Sequence, residues 1–320
     1  MHNTPMIRKT AVLFPGQGSQ FVGMPNELIR NFPNARDHLN NIQALLNDKG
    51  PSNLLNAMMN GPSDLLRSTK YAQLGIFAVS SAFYLIGKDL GAIPGPPSYF
   101  LGHSLGEITA LYAAGHISLS DALEIISLRS EHMAQCGSVG TGMRAYLLHP
   151  HFNVNQVKDI IIEVSKTMDQ MIDVANINSG SQIVVSGTTL GLRYLTAYLN
   201  EKDIAVKGID LPVSGPFHSR FMDPARPHLK TLLDGITWQE GQGTVVSNVT
   251  DRPYDNKYQL VEQLTKPVLW HQSIQYIKER GVTHVICLGP RRVLANLLKH
   301  ENIEVTSIAS MGDLVGKTSH

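Results

Sequence analysis

The segment Thr10 to Phe14, TAVLF, is a short unbroken apolar run that stops at Pro15 and Gly16. A fully apolar run closed by turn residues predicts a buried central strand feeding a tight loop. A second run, Tyr99 to Leu101, ends in GHSLGE and leads into ITALYAAGHI, whose small and apolar residues suit a helix packed on a sheet. The stretch Ala72 to Leu85 between them predicts another helix, so parallel strands joined by helical crossovers are the simplest topology. From Gly142 to Leu211 the units shorten. MRAYLL, NQVKDIIIEVSK, DVANI, QIVVSG, LGLRYLTAYLNEK and AVKGIDL read in order as βαββαβ, which predicts a ferredoxin-like insert of about 70 residues. TVVSNV and HVICLG, with a helical connection over 268–280, then return to the main sheet. The expected architecture is α/β: a parallel-sheet domain built from residues 1–140 and 212–320, holding a ferredoxin-like subdomain at 141–211.

Composition narrows the function classes. The chain of 320 residues is 42% hydrophobic and 17% charged, with 27 Lys and Arg against 26 Asp and Glu. A net charge of +1 offers no basic excess for a nucleic acid. Two cysteines, Cys136 and Cys287, cannot build a disulfide framework or, alone, a structural zinc site. The opening MHNTPMIRKTAVLF lacks the apolar core and cleavage site of a secretory signal, and no apolar run approaches the roughly 18–20 residues that span a bilayer. A cytoplasmic protein without metal or membrane association is the expectation.

Gly102, His103, Ser104, Leu105 and Gly106 form GxSxG in the strand-to-helix setting this motif requires. Flanking glycines let the backbone turn sharply and present the Ser104 hydroxyl above the sheet, with the following helix N-terminus aimed at the reaction centre. Ser104 is the candidate nucleophile. Of 13 histidines, His218 is the candidate base, because it lies where the chain leaves the small insert and re-enters the large domain. His103 points to another side of the turn and reads as a packing or hydrogen-bonding residue. The loop FPGQGSQ follows the first strand but has neither a third glycine in dinucleotide register nor a phosphate-loop Lys. Its Gln17 amide, paired with that of Leu105, makes a candidate oxyanion hole. Arg129 falls inside the apolar stripe formed by Ala122, Ile125, Ile126 and Met133. An inward guanidinium needs an anionic partner, either an internal carboxylate or a substrate carboxylate.

These residues carry a resemblance. The chain is similar to the malonyl-CoA:acyl carrier protein transacylases, including the discrete acyltransferases that serve polyketide synthases in trans, through FPGQGSQ, GHSLGE, the Arg129 helix, ANINSGSQIVVSG and GPFHSRFM in the family's order. VSNVT and LTKPVLWHQSI extend the match. The resemblance implies a hydrolase-like α/β domain with a ferredoxin-like subdomain, Ser104 as acyl acceptor and His218 as its base. It implies that the backbone carbonyl of Gln263 orients the histidine, with Asn178 near the same ring, and that Arg129 pairs with the malonyl carboxylate. Phe217 and Met133 would set acyl selectivity. It further implies transfer of malonyl from malonyl-CoA to the phosphopantetheine thiol of an acyl carrier protein, by a monomer with no bound cofactor, in fatty acid or polyketide biosynthesis. Arg144 and Pro216 depart from the family pattern beside the expected cleft. They leave open a different acyl group or a proofreading acyl hydrolase or thioesterase, and a non-catalytic docking module is a third reading.

Overall fold

The computed structural model describes residues 9–47 and 50–316. The N-terminal residues before Lys9, on which part of the secretory-signal reading rests, lie outside that range. Two sheets organise the chain. The first is five-stranded, in the order β7-β2-β1-β8-β9, with β1 Lys9–Phe14, β2 Tyr99–Gly102, β7 Thr244–Val245, β8 Val282–Leu288 and β9 Glu304–Ile308. Every pairing in it is parallel. The run Ala11 to Phe14 is fully buried because both faces of β1 are covered. Val12 and Phe14 enter a core shared with the helix Thr69–Asp89, while Ala11 and Leu13 pack with Trp270 and Ile277 of the helix Trp270–Glu279. A continuous apolar run, rather than an alternating one, is what a doubly covered parallel strand needs.

The second sheet is antiparallel, in the order β4-β5-β3-β6, with β3 Thr141–Leu148, β4 Ile172–Ser179, β5 Gln182–Thr188 and β6 Ala205–Asp210. With the helices Val154–Thr167 and Thr189–Glu201 between its strands, it has the βαββαβ order and strand arrangement of a ferredoxin-like unit. One face carries those helices, whose Ile161 and Leu195 pack in one core with Tyr146 and Ile183 of the strands. The other face sends Met143, Ala145, Ala175 and Val184 into the main core. The cleft opens between this face and the carboxyl ends of β1 and β2, where open parallel sheets place their ligands.

Three details differ from the sequence reading. TVVSNV supplies only a two-residue strand and a bridge from Val246 to Pro253, and β9, an edge strand, was not anticipated. Arg144 does not neighbour the cleft. It lies on the helix-bearing face of β3, where Nε and Nη2 donate to the two Asp210 carboxylate oxygens at 2.7 and 2.9 Å and Nη1 donates to Thr196 at 2.7 Å. Strand alternation gives the cleft to its neighbour Met143 instead.

Candidate active site

The turn after β2 is forced by close approach. A methyl group on Gly102 would sit 1.8 Å from the Gly106 carbonyl carbon, and one on Gly106 would lie 2.1 Å from the Phe14 carbonyl oxygen. No side chain fits at either position, so the helix Leu105–Ala113 starts directly against the end of β1. Ser104 is left at φ +52° and ψ −107°, a sparsely populated conformation that costs on the order of 1–3 kcal/mol. Asn248 holds it there: the Ser104 N–H donates to Asn248 Oδ1 at 2.8 Å, and Asn248 Nδ2 donates to the Gly102 carbonyl at 2.7 Å.

His218 lies in the loop after β6, also at positive φ (+56°). Its loop is pinned by the Ser186 hydroxyl, which donates to the Phe217 carbonyl at 2.5 Å, and by the Arg220–Asp173 ion pair to β4. The ring is buried, with Nδ1 2.8 Å from the backbone carbonyl of Gln263. That carbonyl closes the short helix Gln259–Gln263, and helix-terminal carbonyls have no partner within the helix. Burial first, and the Arg129 cation second, push the His218 pKa down from 6.5 to about 3. The neutral ring therefore carries its proton on Nδ1, donating to Gln263, and Nε2 accepts the Ser104 hydroxyl at 2.7 Å.

Arg129 completes the group. It is 1% exposed, on the helix Leu119–Cys136, which opens with a capping box between Ser118 and Asp121. Nη1 donates to Gln73 Oε1 at 2.7 Å; Nη2 donates to Gln263 Oε1 at 2.7 Å and to Ser104 Oγ at 3.0 Å. These partners are neutral oxygens, and Nε has no acceptor among the described residues. Burial lowers the Arg129 pKa to about 10, against which the Glu107 carboxylate acts; the group stays a cation at neutral pH.

Gln17, Leu105, Arg129, Met133, Phe217 and His218 line one cavity of about 220 Å³ with Ser104 at its base. The amides of Gln17 and Leu105 make no hydrogen bond within the described residues, and both residues line this space, one from the β1 loop and one from the helix N-terminus. Met133 lies against Gln73, whose Nε2 is 3.8 Å from its sulfur. Asn178 is a correction. It lines the cavity with His218, but its Oδ1 is 2.9 Å from His103 Nε2 and its Nδ2 donates to Gln182, so its bond is to the other histidine. Strand alternation, with Ile177 in the helix-side core, leaves Asn178 facing the cleft with Asn176, within reach of the His103 ring. His103, packed on Trp270 at 5.5 Å between centroids, is held away from the serine.

Sequence reasoning missed Gln73, Asn248 and Glu107. Gln73 stood in view as a polar residue inside the apolar helix Thr69–Asp89, the same signal that singled out Arg129. Glu107 is fully buried and its pKa is raised to about 7, mainly by burial. No group of three or more His, Cys, Asp or Glu among the described residues is placed to hold a metal ion.

The His218 shift has a measurable consequence. A folded-state pKa below the unfolded value means that the unfolded chain binds the extra proton first, so stability present above pH 6.5 is lost as pH falls towards 3. Between pH 7 and pH 5 this single group removes about 2 kcal/mol. Denaturant titrations at the two pH values should show that loss diminished by about this amount in His218→Gln; an undiminished loss would mean that the ring is not held neutral.

Residues 12–318 match the Acyl transferase domain family. The chain is 36% identical over 306 residues to the malonyl CoA-acyl carrier protein transacylase of Bacillus subtilis (strain 168), covering 94% of this chain and 93% of that one. The solved malonyl CoA-acyl carrier protein transacylase of Clostridium perfringens superposes with a TM-score of 0.88 at 30% identity, over 97% and 96% of the two chains. A malonyl-transacylase solved in complex with its type II PKS acyl-carrier protein superposes at 0.87 and 28% identity, over 97% and 99%. With this coverage, the chain belongs to the acyl transferase domain family and, within it, to the malonyl CoA-acyl carrier protein transacylases.

Proposed function

We propose that the protein transfers a malonyl group from malonyl-CoA to the phosphopantetheine thiol of an acyl carrier protein, in two half-reactions through a Ser104 ester. The observation that carries this reading is Arg129: a buried cation 3.0 Å from the nucleophile, bonded to neutral oxygens and with its Nε still without an acceptor. Such a group favours an acyl chain that brings its own carboxylate. It also favours a malonyl transferase over a thioesterase for simple acyl groups, where the cation would have no purpose.

In the first half-reaction the Ser104 oxygen attacks the thioester carbonyl carbon as its proton passes to His218 Nε2. The oxyanion is received by the Gln17 and Leu105 N–H groups. Collapse breaks the carbon–sulfur bond, and His218 returns the proton to the coenzyme A thiolate. In the second half-reaction the carrier thiol gives its proton to His218 and attacks the serine ester, which restores the Ser104 hydroxyl. Phe217 and Met133 bound the acyl space and set how much branching it accepts. No bound cofactor or metal takes part in these steps. The two free cysteines and the lack, among the described residues, of a helix long and apolar enough to cross a membrane support a cytoplasmic enzyme. We read it as a monomer that delivers malonyl units to fatty acid or polyketide assembly.

Arg129→Ala tests the reading. It should lower kcat/KM for malonyl-CoA by on the order of 10²-fold, the scale of losing a buried charged hydrogen bond of roughly 3 kcal/mol. Acetyl-CoA, with no carboxylate, should lose little. Arg129→Lys should recover only part of the malonyl activity, because an ammonium lacks the planar fork. Equal losses with both thioesters, together with a lower Tm, would make Arg129 a structural residue.

A further inference from the structure

We propose that Glu107 is a positioning residue of this site: it holds the Gln263 amide in the single orientation that serves both Arg129 and His218. The substrate-dependent part of this inference rests on the transferase reading above. Glu107 lies three residues after the nucleophile, in the first turn of the helix Leu105–Ala113, and is wholly enclosed. A carboxylate there must be matched by donors. The Asn248 N–H donates to Oε1 at 2.7 Å, Gln263 Nε2 donates to Oε2, and the Tyr254 hydroxyl lies beside the same group.

Three atoms of Gln263 bond within the site. Its Oε1 accepts from Arg129 Nη2 at 2.7 Å, its Nε2 donates to Glu107 and, at 3.0 Å, to the Ser104 carbonyl, and its backbone carbonyl is the acceptor for His218 Nδ1. A primary amide could sit in two ways. Turned over, it would aim Nε2 at a guanidinium, which is donor-only, and Oε1 at a carboxylate, which is acceptor-only when ionised. With Glu107 ionised, as it is above its pKa of about 7, the carboxylate, the Ser104 carbonyl and the Arg129 cation together leave one orientation. Through the Asn248 N–H the same carboxylate also anchors the side chain that clamps Gly102 and Ser104. Glu107 thus touches neither substrate nor the reacting atoms, yet it braces both sides of the nucleophile turn.

Glu107→Gln removes the acceptor-only character and places an NH₂ group against residues that are already donors. The test follows Ser104 in wild type, Glu107→Gln, Glu107→Asp, Gln263→Met and the Glu107→Gln/Gln263→Met double variant. Two readouts are used: labelling by a serine-directed phosphonofluoridate, which needs no acyl carboxylate, and rapid-quench acylation by malonyl-CoA and acetyl-CoA read by intact mass. In Glu107→Gln, labelling and acetyl transfer should slow by on the order of tenfold and malonyl transfer by on the order of 10²-fold, the scale of a displacement of about 1 Å. The double variant should be no slower than its slower parent, because both changes break one linkage, and Glu107→Asp should recover part of the malonyl rate. If Glu107→Gln does not fold, Glu107→Asp with and without Gln263→Met supplies the same cycle. Equal slowing with both thioesters, additive with Gln263→Met and tracking Tm alone, would overturn the inference and leave Glu107 a structural acid. Wild type that takes the phosphonofluoridate but no malonyl group would instead overturn the functional reading, while the labelling cycle still decides the role of Glu107.

Discussion

Wild-type protein mixed with malonyl-CoA alone should gain the mass of one malonyl group, and Ser104→Ala should gain none. The adduct forms without an acceptor because the first half-reaction is complete once coenzyme A leaves. The geometry makes the loss total. Among the described residues, Ser104 Oγ is the one hydroxyl placed 2.7 Å from His218 Nε2 and 3.0 Å from Arg129 Nη2, and both contacts lower the energy of the developing alkoxide. Alanine removes a single oxygen and leaves Asn248, Gln263 and the turn backbone without a new unmet group, so the fold should persist. Malonylation of the Ser104→Ala protein, localised by peptide mass spectrometry, would place the nucleophile on another residue.

His218→Ala should slow both half-reactions by on the order of 10²- to 10⁴-fold, the span for a positioned general acid–base. The low pKa of the ring, about 3 in the free enzyme, sets how this works. It keeps Nε2 unprotonated at every pH at which the enzyme would act, but it also weakens the base. Arg129 is the second-largest cause of that lowering, so a malonyl carboxylate that pairs with Arg129 raises the basicity of His218 as it binds. The loss in His218→Ala should accordingly be larger for malonyl-CoA than for acetyl-CoA. Single-turnover acylation with each thioester measures this directly. A greater rate loss in His103→Ala than in His218→Ala, with Tm unchanged, would assign the base to His103 instead.

Much of the architecture was legible in the chain because its causes are local. TAVLF is apolar at every position since β1 is covered on both faces. The βαββαβ unit declares itself by alternation of short runs and helical periods. Gly102 and Gly106 announce the nucleophile turn because no other residue fits the contact between them. Arg129 was visible as inward-facing from helical phase alone. β9 escaped notice: EVTSI is short and mixed in polarity, and it pairs only with β8 at the sheet edge.

What tertiary structure alone decided is which residues meet. Arg129 is bonded to Gln73 and Gln263, 56 and 134 positions away, and no local period encodes such a pair. Asn178 lines the same cleft as His218, yet its bond goes to His103, 75 positions away. Arg144 and Met143 are adjacent in sequence, yet pairing of β3 with β5 and β6 sent one to Asp210 and the other to the cleft. Glu107 was an ordinary helix residue until folding enclosed it with Asn248, Tyr254 and Gln263. Patterns of polarity and steric demand act between near neighbours and so are written in the sequence; charge balance and hydrogen-bond orientation act through space, and exist only once distant segments have been brought together.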